Sequence, residues 1–171
     1  MRKDWNGLVK LLEIWKTDAN GNVVWRQENL YNTFHLEGEE FIISAVFTGG
    51  VDNAFIPESY YFGLDNRSTI ETTDTLDDLV NEPTTNGYER IAVSSDGIFT
   101  VALANDHYRA VGPVISFTAD GGTIGPVANL FLATTENNSG VLIATVALSQ
   151  SLTLADGEGV NMRMGLSLKD C

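Results

Sequence analysis

The stretch VNMRMGLSLK, residues 160–169, has the most regular pattern in this chain and decides its fold class. Every second residue is apolar, namely Val160, Met162, Met164, Leu166 and Leu168. The residues between them are polar, charged or glycine. Because a period of two places successive side chains on opposite faces of a β-strand, one face of this segment is apolar and the other is not. We therefore expect a half-buried strand that belongs to the main sheet.

Most of the chain before this strand has a similar character. Short segments rich in β-branched and aromatic residues are separated by Gly, Asn, Asp or Pro, at the spacing of sandwiches and barrels. The predicted strands are residues 8–15, 23–31, 59–65, 87–93, 98–104, 110–119, 127–135 and 140–149. The sequence thus predicts a mainly β protein, an antiparallel β-sandwich or jelly roll with one or two short helices. We expect one domain over residues 1–171, with residues 1–31 as an N-terminal hairpin or docking segment.

The segment TFHLEGEEFIISAVFTGG, residues 33–50, is the best candidate for a helix. An acidic first turn precedes apolar residues at helical spacing, and two glycines follow them. The residues with this spacing are Phe41, Ile42, Ala45 and Val46. A strand stays open as the alternative, because a second set also alternates: Phe41, Ile43, Ala45 and Phe47.

The net charge of −13 is unevenly distributed along the 171 residues. Residues 1–26 contain five basic and three acidic residues, whereas the remainder contains five basic and twenty acidic residues. So acidic a body repels phosphate backbones, and we expect no direct binding to nucleic acid. No apolar run is long enough to cross a bilayer and the N-terminus lacks a secretory pattern, so we expect no membrane partner. The single Cys171 can form no intrachain disulfide.

All three tryptophans lie in the less acidic opening segment, at Trp5, Trp15 and Trp25. Tryptophan and arginine are enriched at interface hot spots. These three residues and Arg26 are therefore our candidate partner interface. The alternative is a first hairpin whose tryptophans fill the core of the protein itself.

Six carboxylates lie between Asp65 and Glu82, with Arg67 as the one base among them. The pattern predicts a loop with a short helix, in which Asp74 is the N-cap, Asp77 is the third helical residue and Pro83 ends the turn. Its apolar stripe would be Leu76, Leu79 and Val80. On this interpretation the carboxylates face water, and Arg90 pairs back to Asp65 or Glu82. A hydrolytic or metal site in this loop is the alternative, although no metal-ligand spacing is present.

Other chemistry has little support in the sequence. His35 and His107 are the two histidines, and we interpret both as surface or partly buried polar residues. Asp18 begins a turn rather than a calcium loop, because Val23 and Asn29 stand at the positions of the required Gly and Glu. No phosphate-binding loop or nucleophile elbow is present. We predict that the protein is not an enzyme and has no cofactor.

The segments GEEFIISAVF, YYFGLDNRSTI, DTLDDLVNEP, NGYERIAV, NLFLATT and GVLIATVALS together resemble small virion proteins of tailed bacteriophages. The resemblance covers residues 28–168. It implies a structural protein, either a capsid decoration (cement) protein or a tail-associated component, made in the host cytoplasm and carried by the virion.

For a decoration protein, the resemblance implies a location on the outer capsid surface, with the major capsid protein and further copies of the chain, as a homotrimer, for partners. The alternative is a tail-fibre module that binds a receptor or glycan. Four tyrosines would then supply stacking surfaces, if exposed, and otherwise pack within the strands: Tyr60, Tyr61, Tyr88 and Tyr108.

Overall fold

The computed structural model describes residues 7–47, 56–79, 81–104 and 107–168, which form two five-stranded antiparallel sheets. Sheet A has the strand order β2-β1-β10-β7-β6, and sheet B has the order β3-β9-β8-β4-β5. The strands of sheet A are β1 (Gly7–Thr17), β2 (Val23–Tyr31), β6 (Thr100–Ala104), β7 (His107–Thr118) and β10 (Gly159–Leu168). The strands of sheet B are β3 (Thr33–Phe34), β4 (Ser59–Asp65), β5 (Ile91–Ser94), β8 (Ile124–Ala133) and β9 (Leu142–Leu154). The predicted antiparallel β-sandwich is confirmed.

The strand that decided the fold class lies at the centre of sheet A. β10 pairs with β1 on one side and with β7 on the other. Val160, Met162 and Met164 are buried on the face toward sheet B, as the alternation predicts. On the opposite face, Asn161 accepts a 2.6 Å hydrogen bond from the hydroxyl of Ser116.

Sheet B is covered on both of its faces. Residues 130–133 of β8 and 142–146 of β9 are buried without interruption, so neither strand alternates there. Their inward side chains join the core between the sheets, whereas Phe131, Ala133 and Leu142 form a second cluster with Leu76 and Leu79. The acidic loop therefore packs over the outer face of sheet B.

The helix α1 (Leu36–Phe47) confirms the helical prediction and lies beside the edge of β9. β3 pairs with β9 through two residues only, after which the backbone N–H of His35 donates to the carbonyl of Ile143. Gly38 is buried against that same carbonyl, where a Cβ atom would lie 2.5 Å from the oxygen. The absence of a side chain at Gly38 thus permits the close contact of the helix with the sheet.

The strand predicted at residues 87–93 begins well after its predicted start. Residues 87–90 were predicted as strand, but β5 begins at Ile91. Gly87 has a positive φ of 78°, and the Arg90 side chain is buried in contacts with the acidic loop. Pairing with β4 begins only after these contacts.

Over the part of the chain that is described, no helix has the length and apolar character needed to span a bilayer.

Candidate functional site

The short helix of the acidic loop is a single 3₁₀ turn, Leu76–Asp78, and it begins one residue later than predicted. Thr75, not Asp74, is its N-cap. The carboxylate of Asp78 accepts hydrogen bonds from the Thr75 backbone N–H at 2.8 Å and from its hydroxyl at 2.9 Å. These bonds hold the pKa of Asp78 below its usual value. Leu76 and Leu79 are buried as predicted, and Val80 lies outside the described residues.

Asp74 is displaced from the cap because it pairs with Arg67. The guanidinium of Arg67 lies 3.0 Å from Asp74 and 3.0 Å from Asp65, whose side chain is fully buried. Asn129 closes the cluster by donating a 2.7 Å hydrogen bond to the Arg67 carbonyl. Arg67 therefore joins the end of β4 to the middle of the acidic loop.

Arg90 makes the second set of buried contacts. Its guanidinium donates to Glu82 at 2.7 Å, which confirms one of the two predicted pairings, and to Asn138 Oδ1 at 2.6 Å. It also donates to the carbonyls of Thr135 and Asn137, and its centre lies 5.0 Å from the ring of Phe131. The Arg90 side chain is only 5% exposed.

The second carboxylate oxygen of Glu82 is bound by Tyr88. The Tyr88 hydroxyl donates to Glu82 at 2.6 Å and accepts from the backbone N–H of Leu64 at 2.9 Å. Burial, together with the adjacent Glu82 carboxylate, raises the pKa of Tyr88 far above its usual value. Tyr88 therefore stays a neutral phenol and donates its proton to the carboxylate.

The prediction that the carboxylates of this loop face water is wrong for half of them. Asp65 and Asp74 are paired with the largely buried Arg67, and Glu82 is paired with the buried Arg90. The other three carboxylates are exposed, namely Glu71, Asp77 and Asp78. Within the described ranges, no group of three or more His, Cys, Asp or Glu residues could hold a metal ion. The acidic loop is thus a cover for sheet B, fixed by two arginines that sequence reasoning placed only in part.

His35 is fully buried, so its interpretation as a surface or partly buried residue is wrong. Its Nε2 lies 2.7 Å from the Thr145 hydroxyl, and its Nδ1 has no hydrogen-bond partner among the described residues. Burial lowers the pKa of His35, and nearby Arg67 lowers it further, while Asp74 opposes the change. His107 begins β7, and its side chain lies outside the described residues.

We expect acid to destabilise the fold through His35. Because its pKa in the folded state is lower than its ordinary 6.5, the unfolded chain binds the proton more tightly. The stability is complete above pH 6.5 and is lost as the pH falls through the folded-state pKa, by at most about 1.4 kcal/mol per pH unit.

The measurement is urea unfolding of the wild type and of His35→Gln across this pH range. Burial raises the pKa of Glu37, so that residue acts with the opposite sign at lower pH, and the comparison cancels its effect. The stability advantage of the wild type should shrink below pH 6.5. Parallel curves for the two proteins would contradict the prediction.

The β1–β2 hairpin separates the proposed interface residues onto opposite faces. Trp15 pairs with Arg26 across the hairpin, whereas Trp25 pairs with Lys16, which is the adjacent residue on β1. Since neighbouring residues of a strand point to opposite faces, Trp15 and Arg26 share one face and Trp25 lies on the other. Trp25 packs against the core, and Trp5 lies outside the described residues.

The two bases of this hairpin whose side chains are described, Lys16 and Arg26, are both paired with carboxylates. Arg26 lies 2.7 Å from Glu13 and 2.8 Å from Glu28, and Lys16 lies 2.6 Å from Glu158. At the hairpin turn, Asp18 accepts hydrogen bonds from the backbone of Asn20 and Asn22, which confirms the predicted turn. The positive charges of Lys16 and Arg26 are therefore balanced within the protein rather than left free for a partner.

Two groups of neighbouring large apolar side chains are exposed elsewhere on the described surface. The β6–β7 patch consists of Val101, Leu103 and Tyr108, which are 66%, 62% and 70% exposed. Leu103 pairs directly with Tyr108, and β6 is the edge strand of sheet A in the described part of the chain. The helix patch consists of Leu36, Ile43, Val46 and Phe47.

The β6–β7 patch continues the core-facing side of sheet A. Ala110 pairs with Val101 on one side and with residue 166 of β10 on the other, and residue 166 lies two positions after the buried Met164. The sequence predicted both strands of this pair but not the exposure of their apolar side.

Two of the four tyrosines proposed as stacking surfaces pack within the fold. Tyr60 makes a ring contact with Phe99, and Tyr88 makes one with Phe117.

Comparisons of the chain with known proteins found no relatives. No protein-family model, no curated protein and no solved structure matches the chain.

Proposed function

We propose that this protein is a structural component of a tailed-bacteriophage virion, a head decoration protein that binds the major capsid protein. The observation that carries the proposal is the β6–β7 patch, in which three large apolar side chains are exposed on a protein of net charge −13. Exposed apolar patches mark surfaces that become covered on association. The resemblance to virion proteins supports this particular kind of assembly.

The body of the protein suits repeated display on a shell. Arg67 and Arg90 fix the acidic loop to sheet B through paired charges, so this long connection is part of a rigid body. The remaining acidic surface keeps many copies soluble before they assemble. A capsid-stabilising protein needs both properties.

We assign the β6–β7 patch to contacts between copies of the chain, in a trimer. An edge strand offers unpaired backbone groups for pairing with another chain, and apolar side chains beside it add to that contact. Trp15 on the opposite, outer face of sheet A then contacts the capsid. A trimer presents three such faces at once, which raises its avidity for a lattice without any new kind of contact.

The test is co-sedimentation of the purified full-length protein with empty capsids of the phage that encodes it, with its mass measured by light scattering. We expect saturable binding and a higher melting temperature of the capsids. Leu103→Asp should give a monomer that binds at least about tenfold more weakly, a loss of about 1.4 kcal/mol.

Ile56→Asp is the matched control, because Ile56 is 68% exposed but lies outside both patches. This variant should keep the mass and capsid affinity of the wild type. A wild-type protein that neither binds these capsids nor changes their heat resistance would overturn the proposal. If Leu103→Asp and Ile56→Asp had equal effects, the β6–β7 patch could not be the contact between copies that we assign to it.

A further inference from the structure

An open cleft of about 350 Å³ lies at the end of sheet B where β4 ends and β8 begins. One wall is the segment 81–85 of the acidic loop, and the other is the segment 123–126 that leads into β8. Asn66, directly after β4, also lines it. The volume is at the lower end of the range of roughly 300–1,000 Å³ that is typical of small-ligand sites.

The two walls of the cleft are held together by Asn86. Its side-chain amide donates a 2.6 Å hydrogen bond to the carbonyl of Thr123, and its own carbonyl accepts from the backbone N–H of Asp120 at 2.9 Å. Asn86 and Gly87 both have positive φ, of 61° and 78°, which turns the loop back toward this contact. The cleft is therefore preformed, which reduces the entropy lost when a ligand binds.

The lining is polar but carries little free charge. It contains the amides of Asn66 and Asn81 and the hydroxyls of Thr84, Thr85 and Thr123. Its one carboxylate, Glu82, is already bound by Arg90 and Tyr88. Among the described residues that line the cleft, none is a cation, so an anionic ligand finds no partner in a protein of net charge −13.

A cation is also a poor fit to this cleft. A calcium or magnesium site needs several oxygens that converge on one point, including carboxylates with free charge. Glu82 has Arg90 within 2.7 Å, which opposes a second cation at the same oxygens. A neutral ligand with many hydroxyl groups matches the amides and hydroxyls that are present.

We propose that this cleft binds a neutral saccharide. The Asn81 amide and the Thr84 and Thr85 hydroxyls make no hydrogen bond with another described residue, so they are available to sugar hydroxyls, both as donors and as acceptors. Pro83 and Pro126 supply apolar surface for the C–H face of a sugar ring. This binding activity is separate from the proposed attachment to a capsid and involves the opposite sheet.

The test is a titration of the ¹⁵N-labelled full-length protein with methyl glycosides of glucose, galactose, mannose, N-acetylglucosamine and N-acetylgalactosamine. We expect at least one glycoside to shift amide signals saturably in segments 81–86 and 123–125. The dissociation constant should be near the millimolar range, as expected for a single small polar ligand.

The variants Asn81→Leu and Thr84→Val should each weaken this binding by at least about tenfold, because each leaves sugar hydroxyls without a partner. Thr100→Val is the matched control, since Thr100 is exposed on β6 in the other sheet, and it should bind as the wild type does. The proposal is overturned if no glycoside shifts these signals, if the shifts lie elsewhere, or if Thr100→Val weakens binding equally.

Discussion

Replacing Arg90 with alanine is expected to lower the free energy of unfolding by about 3–5 kcal/mol, the largest loss that we predict for one side chain. The substitution leaves Glu82 as a carboxylate that is 17% exposed and has lost its cation. It also leaves the carbonyls of Thr135 and Asn137 without this donor, and it removes the guanidinium from the ring of Phe131. Unsatisfied buried groups lose their hydration without any compensating bond.

Arg26→Ala is the matched control for this measurement by urea unfolding. Arg26 also pairs with two carboxylates at 2.7 and 2.8 Å, but its side chain is 54% exposed. An exposed pair contributes only about 0–1 kcal/mol, so this variant should be nearly as stable as the wild type. Similar losses for the two arginines would contradict the role of burial that we assign to Arg90.

A double variant distinguishes the loss of the Arg90–Glu82 ion pair from the cost of leaving one of its charges unpaired. Arg90→Met with Glu82→Gln removes both charges and keeps most of the volume. Replacing both members of a buried ion pair is often far less harmful than removing one. We expect the double variant to lose less stability than Arg90→Met alone, and a simple sum of the two single losses would count against this account.

Much of the fold could be predicted from local patterns. β2 and β4 have the predicted bounds, and β10 begins one residue before the predicted alternation. These strands are bounded by turn residues, and their pattern is set by which face is buried, so the information is local. The helix is recognisable for the same reason, since its acidic first turn and apolar spacing lie within one segment.

The acidic loop could not be predicted in the same way, because its structure depends on distant residues. Arg90 contacts Asn137 and Asn138, which are 47 and 48 residues away in the chain. One signal was nevertheless present. The uninterrupted apolar run at residues 130–133 does not alternate, which indicates a strand covered on both faces and therefore requires something to cover it.

Amino-acid composition pointed to the first hairpin as a candidate interface but could not show which face each tryptophan lies on. Three tryptophans in 25 residues drew attention to the first hairpin, yet Trp15 and Trp25 lie on opposite faces. The register of the hairpin decides this, and it depends on an irregularity between Lys16 and Thr17 that composition does not contain. The cleft was missed because its two walls are far apart in the sequence and are brought together by contacts such as that of Asn86 with Thr123.

Substituting Gly38 with alanine is expected to destabilise the protein by about 1–3 kcal/mol. The direction of this change is informative, because inside an ordinary helix alanine is favoured over glycine by about 1 kcal/mol and the substitution would stabilise the protein. At Gly38 the new Cβ would lie 2.5 Å from the Ile143 carbonyl oxygen and 2.8 Å from its Cα. These atoms belong to the backbone of a buried strand and can move only if β9 or the helix moves.

Glu40→Ala is the control for the helix, because Glu40 is exposed on α1. This substitution should change the free energy of unfolding by less than about 0.5 kcal/mol.

Gly63 provides a second comparison, because a Cβ atom there would overlap the ring of Phe131, which is a side chain rather than backbone. Truncating Phe131 to leucine should therefore relieve part of the loss in Gly63→Ala. Truncating Ile143 to alanine should not relieve Gly38→Ala, because the obstructing atoms remain. A Gly38→Ala protein that is more stable than the wild type would show that helix and sheet are not in close contact at this point.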